Sequence, residues 1–431
     1  MKKIFFLLIF VCTVAVAQKC DLTKNSVLWY GQLTLNDSTS LDINFRIIIE
    51  ATPGKGETQS GVKTTVEIYN AEETIVADEV KITRDSLFIK MPVFDSEFKL
   101  KWEKQYELKD SLSGYWINHA RKEKNMLKFG AQKMNIKPAI GCLYVPFAGK
   151  WETTFSPNTP DEYKALGIFR NANCWDRIYG TFLTESGDYR YLSGTISYNA
   201  TKRGIINETM RLSCFDGSHA FLFIAKLKED STLEGDFYSA AHWHEKWTAK
   251  RNEKFELTNP DSLTFLKPGY DKVEFIFPDL KNKPVSLSDE KYKGKVTIVQ
   301  VMGSWCPNCM DETKFLAPFY DKYKTKGLEV IGLSYERTGD FQKAVVNVER
   351  TQKRFNVNYD LLIAGLTYDK NETAKSLPML NHIIGYPTTI YIDKKGKVRK
   401  IYTGFNGPAT GKYYDRYVEE TTKFVEKLLS E

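Results

Sequence analysis

The 431-residue chain is predicted to be multidomain: an antiparallel β region, sandwich or barrel and internally duplicated, followed by one α/β domain. Three observations carry the prediction. From about residue 26 to 255, short period-2 runs rich in β-branched and aromatic side chains alternate with Asn, Asp, Gly and Ser. Within that stretch, similar residue groups recur at a constant spacing. Beyond it, continuous apolar runs alternate with helical patterns, the signature of a sheet covered by helices.

The first element is a leader. Lys2 and Lys3 precede an apolar run from Ile4 to Val16, and Ala15-Val16-Ala17 has the small-x-small form of a signal-peptidase site. The run is too short to span a bilayer, so residues 1–17 are read as a signal peptide and the mature protein as secreted. Gln18 and Lys19 argue against lipid attachment at Cys20. Lys and Arg number 61 against 54 Asp and Glu, a formal charge of +7. Loss of Lys2 and Lys3 lowers the surplus to +5, and without a basic run there is no reason to invoke nucleic acid.

Residues 18–140 and 141–256 are read as two β repeats. Cys20 stands nine residues before Trp29 and Cys142 nine before Trp151; Phe94-Asp95-Ser96 matches Phe215-Asp216-Gly217, and Leu112-x-Gly114-x-Trp116 matches Leu233-x-Gly235-x-Phe237. The offsets are 121 or 122 residues throughout. Gly149-Lys150-Trp151 resembles the start of lipocalin-type and avidin-type barrels, which leaves a ligand pocket open beside a plain core tryptophan. His242-Trp243-His244 puts two imidazoles on one strand face, but no full ligand set is visible and no metal is expected. No cofactor is expected either.

Asn259-Pro260-Asp261-Ser262 and Lys267-Pro268-Gly269 mark a linker over 257–270. In 271–431, Val296–Met302 reads as a buried parallel strand. A helix follows from Pro307 to about Tyr323, a strand over Leu328–Tyr335, a helix from Phe341 to about Phe355, and a strand over Tyr359–Ala364. Asn371–Leu380 reads as another helix. Thr388–Ile392 and Val398–Thr403 flank a Lys395-Gly396 turn, and a last helix runs from about Tyr413 to Leu429.

Trp305-Cys306-Pro307-Asn308-Cys309 sits where the first of these strands meets the first helix. Free N–H groups and the positive dipole end at a helix start stabilise a thiolate at Cys306. Cys309, one turn on, is within reach for an intramolecular disulfide. Cys306 would attack a substrate disulfide and Cys309 resolve the mixed disulfide. A zinc site would need two further ligands at suitable spacing, and no second C-x-x-C or H-x-x-x-H exists.

With these residues in view, 271–431 resembles the thioredoxin-like family, specifically the TlpA/ResA-type thiol–disulfide oxidoreductases of bacterial envelopes. The resemblance rests on Phe277-Pro-Asp-Leu280, Val285-Ser-Leu287, Lys293-Gly-Lys295, Gly303-Ser-Trp-Cys-Pro-Asn-Cys309, Gly385-Tyr-Pro-Thr-Thr389, and Ile392-Asp393 with Gly396. It implies that Pro387 is cis and faces the two sulfurs, that the Tyr386 backbone pairs with an extended substrate segment, and that Trp305 flanks the site. Met310-Asp311-Glu312-Thr313 and the Gly404–Pro408 loop resemble an envelope subfamily with a long β-rich segment before this domain.

Two positions sharpen the reading. The buried Asp that thioredoxins carry six residues before the first cysteine is Gln300 here. ResA-type proteins carry a Glu three residues after the second cysteine, and Glu312 fills that place, where it would raise the pKa of Cys309 and accept its proton. A first-turn acid serving only the helix dipole is the plainer role for the same residue.

The expected function is therefore a periplasmic thiol–disulfide oxidoreductase, soluble or peripherally associated, acting on protein disulfides. The resemblance further implies a reductase, re-reduced by a membrane electron donor. One alternative is a binding protein whose β region captures a ligand or partner beside an auxiliary thioredoxin-like domain. A peroxiredoxin-like peroxidase is disfavoured, because Gly303 stands where that chemistry needs Thr. Of the seven cysteines, Cys12 leaves with the leader. Cys174 and Cys214, without counterparts in the first repeat, form a candidate structural disulfide; Cys20 and Cys142 stay open.

Overall fold

The computed structural model describes residues 24–52, 61–105, 108–134, 146–172, 177–200 and 206–431. The leader, Cys20, Cys142 and Cys174 lie outside these residues.

The first β module contains β1 (Lys24–Asn36), β2 (Thr39–Thr52), β3 (Gly61–Asn70), β4 (Glu73–Ala77), β5 (Val80–Ile82), β6 (Ser86–Lys90), β7 (Ser96–Gln105), β8 (Leu108–Asn118) and β9 (Met126–Lys133). They form one antiparallel sheet in the order 4-3-2-1-9-8-7-6-5. The first strand pairs with both the second and the last, so the sheet curls into an incomplete barrel. Alternation explains its inner face: Trp29, Leu33 and Leu35 of β1 and Leu127, Phe129 and Ala131 of β9 point into one core.

The second module contains β10 (Gly149–Phe155), β11 (Tyr163–Asn171), β12 (Arg177–Thr184), β13 (Gly187–Asp188), β14 (Leu192–Ala200), β15 (Ile206–Phe215), β16 (Ala220–Leu227), β17 (Leu233–Ser239) and β18 (Trp243–Arg251). Here β11 also pairs with β12, which closes the sheet into an antiparallel barrel. Closure leaves no unpaired edge in the ring. Trp151 in β10, like Trp29 in β1, lies on a strand paired to the next and to the last of its module.

The interior left open as a candidate ligand pocket is filled. Phe155 meets Tyr163, Phe182, Phe223, Phe237 and Trp247 with ring centroids 4.9 to 6.2 Å apart. Met210, Leu212 and Cys214 of β15 face the same interior. Cys174, one half of the candidate disulfide, lies outside the described residues; Cys214, the other half, is a free, buried thiol. Burial, with the charges of Asp216 and Glu73, pushes this thiol well above its ordinary value and keeps it protonated.

The opposite face of β15 and β16 plugs the first module. Phe215, Ala220 and Leu222 join its core, and Phe215 packs 5.3 Å from both Phe98 and Trp116. Two segments recognised as a repeat touch each other: Ser96 Oγ donates to the Gly217 carbonyl at 2.5 Å. Asn70 pairs with the Phe215 backbone through both its amide atoms, at 3.0 and 3.1 Å.

The C-terminal domain holds a short hairpin, β19 (Ile276–Pro278) and β20 (Pro284–Ser286), then β21 (Val296–Met302), α1 (Pro307–Tyr323), β22 (Leu328–Tyr335), α2 (Phe341–Phe355), β23 (Asp360–Gly365), α3 (Lys370–Ser376), β24 (Thr388–Ile392), β25 (Val398–Thr403) and α4 (Lys412–Ser430). The five-stranded sheet runs 23-22-21-24-25. Pairs 21/22 and 22/23 are parallel, while 21/24 and 24/25 are antiparallel. Every residue of β21 is buried, as its unbroken apolar run requires. The helix expected over 371–380 stops at Ser376, because Pro378 disfavours helical geometry at Leu377. This is the thioredoxin-like fold. Among the described residues, no helix is long and apolar enough to cross a membrane.

Candidate active site

Cys306 caps α1. Its φ of −98° and ψ of 113° are extended, Pro307 starts the helix, and the Cys309 N–H donates to the Cys306 sulfur at 3.3 Å. Proline suits this first position because its missing N–H would have no partner inside the helix anyway. The two sulfurs are 2.7 Å apart, with the Cys309 thiol donating. Cys309 is fully buried, and burial first, then the Cys306 sulfur, with Glu312 adding to them, pushes its thiol well up. Cys306 approaches the Tyr386 carbonyl at 3.5 Å, and the Tyr386–Pro387 peptide is cis.

Trp305 donates its indole N–H to the Tyr335 carbonyl at 2.8 Å and meets Tyr386 edge-on at 5.4 Å. The Tyr386 hydroxyl pairs with Thr373 Oγ1 at 2.5 Å. The expected site residues Trp305, Cys306, Cys309, Tyr386 and Pro387 thus converge on one spot.

Glu312 lies beneath them, fully buried. Its carboxylate accepts from Gln300 Nε2 at 2.8 Å, Thr389 Oγ1 at 2.6 Å and the Tyr417 hydroxyl at 2.9 Å. Burial pushes its pKa up and these three donors oppose the rise. Gln300 also reaches the Cys309 carbonyl at 3.3 Å, linking the acid to the cysteine backbone. This environment is not that of a solvated first-turn acid.

Local motifs gave no sign that the β modules sit on this site. The β12–β13 turn packs on the loop before Pro387: a methyl group at Gly385 would come within 2.6 Å of Ser186 Cβ. Asn308 donates to the Asp188 carbonyl at 3.1 Å, and Ser218 Oγ donates to the Trp305 carbonyl at 3.2 Å. Between barrel and C-terminal domain lies a cleft of about 820 Å³, walled by Tyr163, Tyr189 and Phe221 on one side and Trp305, Cys306 and Tyr386 on the other. Cys306 is 6% exposed.

The docking is anchored by Arg190, which is 7% exposed in its side chain. Its guanidinium pairs with Glu73 of the first module and Asp311 of α1, faces Asp216 at 3.7 Å, and donates to the Pro307 carbonyl at 3.1 Å. Asp188 accepts from the Arg190 N–H and the Gly407 N–H, each at 2.6 Å. Burial outweighs Arg190 at Asp311 and, with Glu73 and Asp188 nearby, pushes that carboxyl up to about 7.

A raised carboxyl pKa means the folded state holds a proton that the unfolded chain has released, so stability falls as pH climbs from about 4 to about 7. Thermal unfolding is expected at a higher temperature at pH 5 than at pH 8, with roughly 2–3 kcal/mol from Asp311 at ~1.4 kcal/mol per pH unit. An Asp311→Asn variant should flatten that difference; an unchanged pH slope would remove Asp311 from the explanation.

Residues 268–416 match the family model described as Redoxin. The thiol-disulfide oxidoreductase ResA of Bacillus cereus strain ZK / E33L is 30% identical over 155 residues, covering 36% of this chain and 78% of that protein. ResA of Bacillus subtilis strain 168 is 28% identical over 139 residues, covering 32% and 69%. Among solved structures, the thioredoxin domain of a thiol-disulfide oxidoreductase from Bacteroides vulgatus is 24% identical, aligned over 36% of this chain and 99% of its own with a TM-score of 0.27.

Proposed function

This chain belongs to the ResA-type thiol–disulfide oxidoreductases through its C-terminal domain, and from that premise we propose that it is a periplasmic reductase of protein disulfides working through Cys306 and Cys309. The observation that carries the reading is the pair of free sulfurs 2.7 Å apart at the head of α1.

The Cys306 thiolate attacks one sulfur of the substrate disulfide, and the other substrate sulfur leaves as a thiolate that takes up a proton. Cys309 then loses its proton and attacks the Cys306 sulfur. The 306–309 disulfide closes and the second substrate thiol is released. Two electrons pass from the protein dithiol to the substrate, and a membrane electron donor restores the dithiol. Trp305, Tyr386 and Pro387 position the substrate segment. The leader over 1–17 and the kinship with ResA support the periplasmic assignment.

Cys309 needs a proton acceptor, since burial opposes its ionisation. Glu312 suits that role, buried and tied to Cys309 through Gln300. A Glu312→Gln variant should fold but resolve the mixed disulfide with an altered pH profile. The check is the pH dependence of the second, thiol-releasing phase in stopped flow; an unchanged profile would refute the role.

Pre-reduced protein mixed with an equimolar peptide disulfide tests the reading itself. Two equivalents of peptide thiol should appear as the 306–309 disulfide forms. Absence of thiol release would sink it.

A further inference from the structure

The cleft over Cys306 carries a charge that disulfide exchange does not use. Arg337 lies in its wall, with the guanidinium carbon 3.7 Å from the Trp305 ring centre and 4.4 Å from that of Tyr368. Among the described residues it forms no ion pair, and its Nε is buried without a hydrogen-bond partner. Arg121, in the turn between β8 and β9, likewise has a buried Nε with no partner. The neighbouring His242 registers this concentration of charge: burial first, then Arg121, His219, Lys124 and Arg337, hold its imidazole down to about 4, so it adds no charge at neutral pH.

The nearby acids are already committed. Asp216 faces Arg190 at 3.7 Å and His219 at 3.4 Å. Glu336 accepts from the Ser304 N–H and hydroxyl at 2.8 and 2.7 Å and from the Ser334 hydroxyl at 2.6 Å. A part-buried guanidinium without a counter-ion, held over two aromatic rings, is a receptor for a carboxylate. Its place in the same cleft as Cys306 makes the occupant part of the substrate. The β12–β13 turn over the site favours an extended segment over a globular surface.

We propose that Arg337, held over Trp305 and Tyr368 with Arg121 near it, binds a carboxylate carried beside the substrate disulfide, so that the enzyme prefers acidic, extended polypeptide segments. The proposal rests on the reductase reading above and adds a substrate class to it.

The test uses two disulfide-linked peptide dimers, acetyl-Glu-Cys-Glu-amide and acetyl-Gln-Cys-Gln-amide, in single turnovers with the pre-reduced protein. Each rate is divided by that peptide's own rate with dithiothreitol, which removes intrinsic reactivity. The Glu dimer is expected to react about five- to tenfold faster, the scale of one partly screened charge-assisted contact. The ratio should fall to about one in Arg337→Gln and be largely kept in Arg337→Lys. A ratio near one in the unaltered protein, or one that Arg337→Gln leaves in place, overturns the subsite while leaving exchange intact. No thiol release from either dimer overturns the reductase reading and the subsite with it.

Discussion

A Cys306→Ser variant is expected to release no peptide thiol above the uncatalysed background, whereas Cys309→Ser should release one equivalent and stop. The asymmetry follows from the geometry. Cys306 caps α1, receives the Cys309 N–H and lines the cleft, so a thiolate there is both supported and reachable. Cys309 is fully buried and its thiol is pushed well up, so it reacts only with a partner already delivered to Cys306. A serine alkoxide is far too basic to replace the first thiolate, and removal of the second leaves the covalent adduct without a resolver. Mass spectrometry of Cys309→Ser should show the protein plus one peptide. Trapping through Cys309 in the Cys306→Ser background instead would reverse the assignment.

An Arg190→Met variant is expected to lose about 3–5 kcal/mol of stability, the usual result of removing one partner from a buried ion cluster. Glu73, Asp216 and Asp311 would all remain, each at most 15% exposed, and Asp311 is poised to neutralise itself near pH 7. The loss should concentrate at the meeting of the three parts, since Arg190 ties the barrel both to the first module and to the head of α1. Urea unfolding measures the total. Hydrogen exchange at the β12–β13 turn and the start of α1 shows where it falls. A loss below about 1 kcal/mol would mean that the cluster's desolvation already cancels its attraction.

The local chemistry of the site was legible in the sequence because its motifs are local. Helix 307–323 and strand 328–335 were read at the bounds observed, since a proline at the helix start and an unbroken apolar run leave little freedom. The cis bond before Pro387 and the convergence of Trp305 with the two cysteines followed from the family resemblance. What escaped was non-local. Alternation in the β region shows which side chains face inward but not which strands neighbour one another, so neither the barrel closure by β11 and β12 nor the plugging of the first module by β15 and β16 was readable. Counting cysteines likewise cannot show that Cys214 points into an aromatic interior.

The second layer of the site was invisible on similar grounds. Asp188, Arg190 and Ser218 reach Asn308, Pro307 and Trp305 across 87 to 120 residues of chain, and nothing in their own neighbourhoods announces it. One trace did exist in the sequence. Phe215-Asp216-Gly217 stood out as a repeat, and its aspartate belongs to the cluster around Arg190 while its glycine receives Ser96.

The direction of electron flow rests on the reduction potential of the Cys306/Cys309 couple. Oxidising couples owe their potential to a strongly stabilised thiolate in the dithiol form. At Cys309 burial favours the thiol over the thiolate, so any such thiolate belongs to Cys306. Equilibration of the full chain with dithiothreitol or glutathione buffers at pH 7, followed by thiol trapping and mass measurement, gives the value. A reductase is expected to settle near the ~−270 mV of thioredoxin, and a value near the ~−120 mV of DsbA would contradict the assignment.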